Sequence, residues 1–146
     1  MPEIRIPGPD HPITIAAHPR RVRALFEGHL IAETDKALRL EEAGYPARFY
    51  FPREDVSMEY LARTDKTTYC PYKGEAHYFT IDRDGRIAEN AVWTYEAPYP
   101  AVAAIEGALS FYPDQVDVYG VGPAAPADGV RESILHTDDG AGQLGE

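Results

Sequence analysis

A mainly β fold is what the sequence predicts, and three observations carry the prediction. The 146 residues include 13 prolines and 12 glycines, above average usage, which favours many short elements over long helices. Apolar residues recur with period two in several short runs, the pattern of strands with one covered face. Asp82-Arg83-Asp84-Gly85 is a turn signal between two such runs, so that Ala76 to Ile81 and Arg86 to Tyr95 form the clearest hairpin in the chain.

Residues 1–20 hold Pro2, Pro7, Pro9, Pro12 and Pro19. Proline removes backbone donors and fixes extended geometry, so this stretch reads as an arm with at most one edge strand, near Ile13-Thr14-Ile15. A single β domain is expected over 21–120. Val22 to Phe26 and His29 to Glu33 read as strands joined at Gly28, a hairpin in the strict sense if the turn is tight. Ala37 to Glu41 alternates apolar with polar, and Arg48-Phe49-Tyr50-Phe51 is a second strand candidate after Gly44-Tyr45-Pro46. Pro52 ends that run. Arg53 to Leu61 is then either a short helix, with Glu54 and Asp55 favourable in its first turn, or a turn.

In the clearest hairpin, period two puts His77, Phe79 and Ile81 on one face, with Tyr78 and Thr80 on the other; Ala91, Trp93 and Tyr95 share a face of the partner strand. After a break at Glu96 to Pro100, Leu109-Ser110-Phe111 and Val116 to Tyr119 are joined by the turn Tyr112-Pro113-Asp114-Gln115. Residues 121–146 carry no strand pattern and are expected to be a loosely ordered acidic tail.

The length suits one domain with a single core that needs neither disulfide nor metal. The formal net charge is -10, from 14 basic and 24 acidic residues, so a nucleic-acid backbone or an anionic membrane surface is repelled. A small anion is not excluded, because one local arginine or lysine can hold it. The single cysteine makes no intrachain disulfide, and Met1-Pro2-Glu3-Ile4-Arg5 is unlike a secretory signal, so a cytoplasmic location is expected. No run approaches the roughly 20 apolar residues that span a bilayer.

Thr67-Thr68-Tyr69-Cys70-Pro71-Tyr72-Lys73-Gly74-Glu75-Ala76-His77-Tyr78 gathers the only cysteine, a lysine, a histidine and three tyrosines around one proline and one glycine. A stretch that bends this way is a poor place to build core, so its side chains are expected to line a concave surface. The expected ligand pocket is lined by Tyr50, Arg53, Cys70, Tyr72, Lys73, His77, Trp93 and Tyr95, with Cys70 facing Arg53 across a shared hollow. Arg53, just after Pro52, is placed to grip a planar acid through two parallel hydrogen bonds, unless Glu54, Asp55 or Glu75 claims it. Lys73 either projects into the cleft or is a solvated loop lysine. His77 is either a hydrogen-bonded core residue or a proton donor at the rim. Tyr50, Trp93 and Tyr95 form either ligand walls or ordinary sheet packing. Cys70 is either an inert packing residue or a nucleophile activated by Lys73 or His77.

Four blocks carry a family resemblance: Tyr50-Phe51-Pro52-Arg53-Glu54-Asp55-Val56, the Thr67 to Ala76 segment, Ala91-Val92-Trp93-Thr94-Tyr95, and Leu109-Ser110-Phe111-Tyr112-Pro113. Together they resemble the domain-of-unknown-function 427 family, catalogued in places as a nucleotidyltransferase-like domain, over roughly Val22 to Tyr119. The resemblance implies a small antiparallel two-sheet domain of the β-tent, or Mss4-like, kind, with at most one or two short helices. It implies no reaction. Nucleotidyl transfer needs a glycine-rich phosphate loop and paired carboxylates on a metal, and neither is visible in the sequence. Several relatives of that architecture hold zinc with two Cys-x-x-Cys pairs, whereas one cysteine here cannot supply four thiolates. The expectation is therefore a small polar or anionic ligand, with no metal or cofactor assigned. The competing classes are an enzyme using Cys70 with His77 or Lys73, in acyl transfer or redox chemistry, and a homodimeric interaction module.

Overall fold

The computed structural model describes residues 3–121, and the expected tail falls outside them beyond Val121. The strands are β1 (Ile13–Ala17), β2 (Arg21–Phe26), β3 (His29–Thr34), β4 (Leu38–Glu42), β5 (Arg48–Tyr50), β6 (Leu61–Cys70), β7 (Gly74–Arg83), β8 (Arg86–Tyr95), β9 (Leu109–Phe111) and β10 (Asp117–Val121). All strand pairings are antiparallel. The predicted mainly β class is what the structure has.

Hydrogen bonding divides the strands into three sheets, β1-β4-β5, β10-β2-β3 and β6-β7-β8-β9, where the resemblance implied two. The reason lies at Pro52, which has no N–H to donate and ends β5 after three residues. One residue pair then stitches the first sheet to the third. The Phe51 amide donates to the Leu109 carbonyl at 2.7 Å, and the Leu109 amide returns a bond of 2.9 Å. Across this seam the two sheets make one long layer, with β10-β2-β3 packed against part of it.

Two hairpins follow from their turn residues. Glu27 (φ 49°) and Gly28 (φ 83°) join β2 to β3, and Asp84 (φ 56°) and Gly85 (φ 86°) join β7 to β8. Two consecutive left-handed residues give a turn whose twist matches that of the strands, and Gly accepts this conformation at little cost. The Arg53 to Leu61 stretch forms two 3-10 turns, Arg53–Asp55 and Met58–Tyr60. They stay separate because the Ser57 amide bonds outward to the Ile31 carbonyl at 2.8 Å. A third 3-10 segment spans Pro100–Ile105.

Alternation along β5 feeds two cores. Phe49 and Phe51 enter the first, with Val22, Phe26, Ile31, Phe79 and Val92, while Tyr50 enters the second, with Tyr78, Trp93, Tyr95 and Ile105. Along β8 the expected grouping of Ala91 with Trp93 and Tyr95 does not hold, because Ala91 packs in the first core. Asn90 takes a φ of 51° at a bulge, where its amide bonds to Thr80 Oγ1 at 3.0 Å, and this resets the alternation.

The N-terminal arm is stitched to the body. β1 pairs along all of β4, and the Arg5 amide donates to the Pro71 carbonyl at 2.9 Å. Among the described residues no helix is long and apolar enough to cross a membrane.

Candidate functional site

β6 and β7 form a hairpin closed by Pro71, Tyr72 and Lys73, with Cys70 paired to Gly74. Gly74 sits at φ +110°, a conformation that side-chain-bearing residues rarely adopt, and the space a Cβ would take is 3.4 Å from the Ala97 carbonyl oxygen. The Tyr99 amide binds the Lys73 carbonyl at 3.0 Å. The loop is thus clamped against the segment after β8. That clamp turns Lys73 inward.

Lys73 is 1% exposed, so neither the solvated lysine nor the cleft lysine of the sequence reading is what the fold contains. Its Nζ donates to Glu42 Oε1 at 2.6 Å, and it lies 5.8 Å from the centre of the Tyr95 ring. Glu42 Oε2 is 2.6 Å from His11 Nε2, and the His11 ring stacks on Tyr72 with centroids 4.0 Å apart and planes 8° off parallel. Burial works to lower the Lys73 pKa, but Tyr50, Glu42 and Cys70 outweigh it and hold the ammonium above the ordinary lysine value. Burial in turn pushes the Tyr50 phenol up, against the pull of Lys73.

Over this ion pair opens a hollow of about 260 Å³, lined by His11, Glu42, Tyr45, Thr68, Tyr69, Cys70, Pro71 and Tyr72. It brings the end of β4 and the following turn against the tip of the β6-β7 hairpin, beneath the arm. Tyr69 rings the edge, its hydroxyl 2.7 Å from that of Tyr99 and also bonded to the Glu3 carbonyl.

Of the eight residues expected to form one pocket, the structure brings Cys70 and Tyr72 together here, with Lys73 beneath. Arg53 lines a different hollow of about 370 Å³ with Tyr50, Lys36, Leu38 and Glu106. The expected meeting of Cys70 and Arg53 across one cavity does not occur in either hollow, because Arg53 follows β5 beside the seam while Cys70 ends β6 at the far edge of the third sheet. Arg53 faces Glu96 at 3.9 Å, not the acids expected to claim it. The carboxylate of Glu96 is gripped at both oxygens by Arg63, at 2.5 and 3.2 Å, and this hydrogen bonding is the first cause of its lowered pKa.

His77 lies half-buried on the outer side of the hairpin, its Nε2 3.5 Å from Glu75. Pairing of Thr67 with His77 and of Cys70 with Gly74 in an uninterrupted ladder puts Cys70 and His77 on opposite faces, three residues out of phase. The Cys70–His77 dyad is thereby removed, and the ammonium of Lys73 is already given to Glu42. Trp93 and Tyr95 are fully buried core rather than ligand walls. Tyr50 accepts a hydrogen bond from Trp93 Nε1 at 3.1 Å.

Sequence reasoning missed His11, Glu42 and Tyr45. A signal for Glu42 was present, since it continues the period-two face of Leu38 and Leu40 and so puts a carboxylate at an inward position. His11 had none, because its partners lie 31 and 61 residues along the chain. No group of three or more His, Cys, Asp or Glu side chains arranged to hold a metal occurs among the described residues.

The chain matches no curated protein. A family model described as Domain of unknown function (DUF427) matches residues 14–122, which takes in every strand apart from the first residue of β1. On the extent of that match, the chain belongs to the DUF427 family.

Proposed function

We propose that this protein binds a small polar molecule in the hollow beside Cys70. The observation that carries the reading is Glu42, held between Lys73 and His11 on the floor of a solvent-reachable cavity. A buried ion pair is a weak stabiliser, because desolvation offsets most of its Coulomb gain and apolar residues of the same volume do as well or better. Its position under an opening fits a preorganised polar floor that orients a ligand without rearranging. The anionic part of the original expectation weakens, since both cations meant to hold the anion, Lys73 and Arg53, already face carboxylates.

Cys70 makes the test simple, as it is the only thiol and it lines the hollow. A ligand seated there should slow iodoacetamide alkylation of the native protein and raise its melting temperature. Both effects should disappear in the Tyr72→Ala variant. If a panel of small neutral, acidic and basic polar compounds leaves both alkylation rate and melting temperature unchanged, the reading is wrong.

A further inference from the structure

His11 is the one wall of the hollow beside Cys70 that comes from the arm before β1. It touches the other walls as a ligand would. Its imidazole lies flat on the Tyr72 ring, centroids 4.0 Å apart and planes 8° off parallel, while Nε2 meets Glu42 Oε2 at 2.6 Å. A carboxylate only accepts, so the ring nitrogen there carries the hydrogen. One flat ring with one N–H thus satisfies one aromatic face and one buried acceptor, the two features by which a pocket fixes the plane and the direction of a heterocycle.

The arm that delivers this ring is lightly held. Pro7, Pro9 and Pro12 have no backbone donor. The Arg5 amide bonds the Pro71 carbonyl and the Tyr69 hydroxyl bonds the Glu3 carbonyl, but Ile4 and Ile6, the two aliphatic side chains of the stretch, are 60% and 82% exposed. A segment with so little buried apolar surface opens at small cost. The His11 side chain, 24% exposed, has a path to water, and Lys73 still holds Glu42 through the other oxygen when the ring leaves. An incoming ring that makes the same two contacts replaces His11 like for like, so its affinity comes from the atoms that extend past the imidazole's place into the hollow of about 260 Å³. A lone five-membered ring has none of these, whereas a fused or substituted one does. Sugars and aliphatic amines lack the flat face, and aromatic hydrocarbons lack the N–H and would leave Glu42 Oε2 without a donor.

Resting on the binding reading above, we propose that His11 is an internal stand-in for the ligand, and that the ligand is a planar nitrogen heterocycle larger than imidazole, stacked on Tyr72 with a ring N–H donated to Glu42. The arm is then an autoinhibitory contact that the ligand displaces.

The probe is benzimidazole, at pH 8 where it is neutral, against N-methylbenzimidazole, which keeps the plane and loses the only N–H. Both are titrated into the full-length protein and into its His11→Ala variant, with calorimetry for affinity and NMR of the His11 ring protons for displacement. Benzimidazole should bind the parent, move the His11 ring signals toward those of an exposed histidine, and bind His11→Ala about tenfold more tightly, because no ring has to be displaced first. The N-methyl compound should bind either protein about tenfold more weakly than benzimidazole, the loss of one hydrogen bond to a charged group. Should His11→Ala not fold, Arg5→Pro removes the arm's amide bond to Pro71, leaves His11 in place and should also tighten benzimidazole binding. Binding to His11→Ala with none to the parent, binding that leaves the His11 signals unmoved, or equal binding of the two compounds overturns the proposal. If benzimidazole binds neither protein while other polar compounds protect Cys70, the stand-in falls and the binding site remains. If nothing binds or protects Cys70, both fall.

Discussion

Replacing Lys73 with methionine removes one charge from the buried pair while keeping the stem packed against Tyr95. Lys73 is 1% exposed and the Glu42 side chain 6%, so water reaches neither charge freely. Removing Lys73 leaves the Glu42 carboxylate buried with the His11 ring on its other oxygen and no cation on the first, at a cost of about 3–5 kcal/mol. Against a total stability on the order of 5–15 kcal/mol this is a large fraction. For a domain of this size it lowers the melting temperature by about 10–20 °C. Urea denaturation followed by fluorescence is well suited, because Trp93 is the only tryptophan and is fully buried. The double variant Lys73→Met/Glu42→Leu should recover most of the loss, coming within about 1 kcal/mol of the parent, since both buried charges are gone and the His11 ring, a quarter exposed, can turn to water. The reasoning is refuted if the single variant is as stable as the parent, or if the double variant is no more stable than the single.

The same pair predicts behaviour in alkali. The folded Lys73 pKa lies above the ordinary 10.5, so its contribution is complete below about pH 10.5 and is lost as pH rises through the folded value. Melting curves from pH 8 to 12 should fall more steeply for the parent than for Lys73→Met/Glu42→Leu. In acid the opposite sign applies to Glu96, whose pKa is held below the ordinary 4.5 by Arg63, so its contribution is present above that pH and is lost as pH falls through the folded value. Because these side chains are over a third exposed, Glu96→Gln should cost less than about 1 kcal/mol at pH 7 and flatten the acid limb slightly, as urea midpoints between pH 2.5 and 7 will show. Gly74→Ala should cost about 1–3 kcal/mol from backbone strain and also crowd the Ala97 carbonyl. Gly44→Ala, at φ +79° with nothing within 4 Å, should cost measurably less in the same urea assay.

The fold was legible where local chemistry decides the geometry. Asp84-Gly85 marked its hairpin because few residue pairs accept two successive left-handed conformations. The alternation Phe49-Tyr50-Phe51 placed Tyr50 opposite its neighbours, as the two cores bear out. The bulge at Asn90 was not legible, since nothing near it in the sequence signals two residues beyond the regular ladder. The candidate site was legible only in its continuous part, where Cys70 and Tyr72 share a loop. Its floor depends on Glu42, 31 residues before its partner Lys73, and on His11, from an arm whose prolines argued for little structure. Lys73 misled because a lysine between tyrosine and glycine is usually solvated, and only the clamp at Gly74 turns it inward.

β5 has a consequence for how the gene can change length. Its three residues, with Phe51 just after them, send side chains alternately into both interiors and then close the seam to Leu109. Losing or gaining one residue between Arg48 and Phe51 would exchange the side chains that this segment sends into the two interiors. The turn of residues 43–47 just before it can lengthen or shorten without that penalty. Natural variation in size should therefore gather on the near side of Arg48, in the turn that gives Tyr45 to the hollow beside Cys70, where it would reshape what the protein can hold and leave its architecture intact.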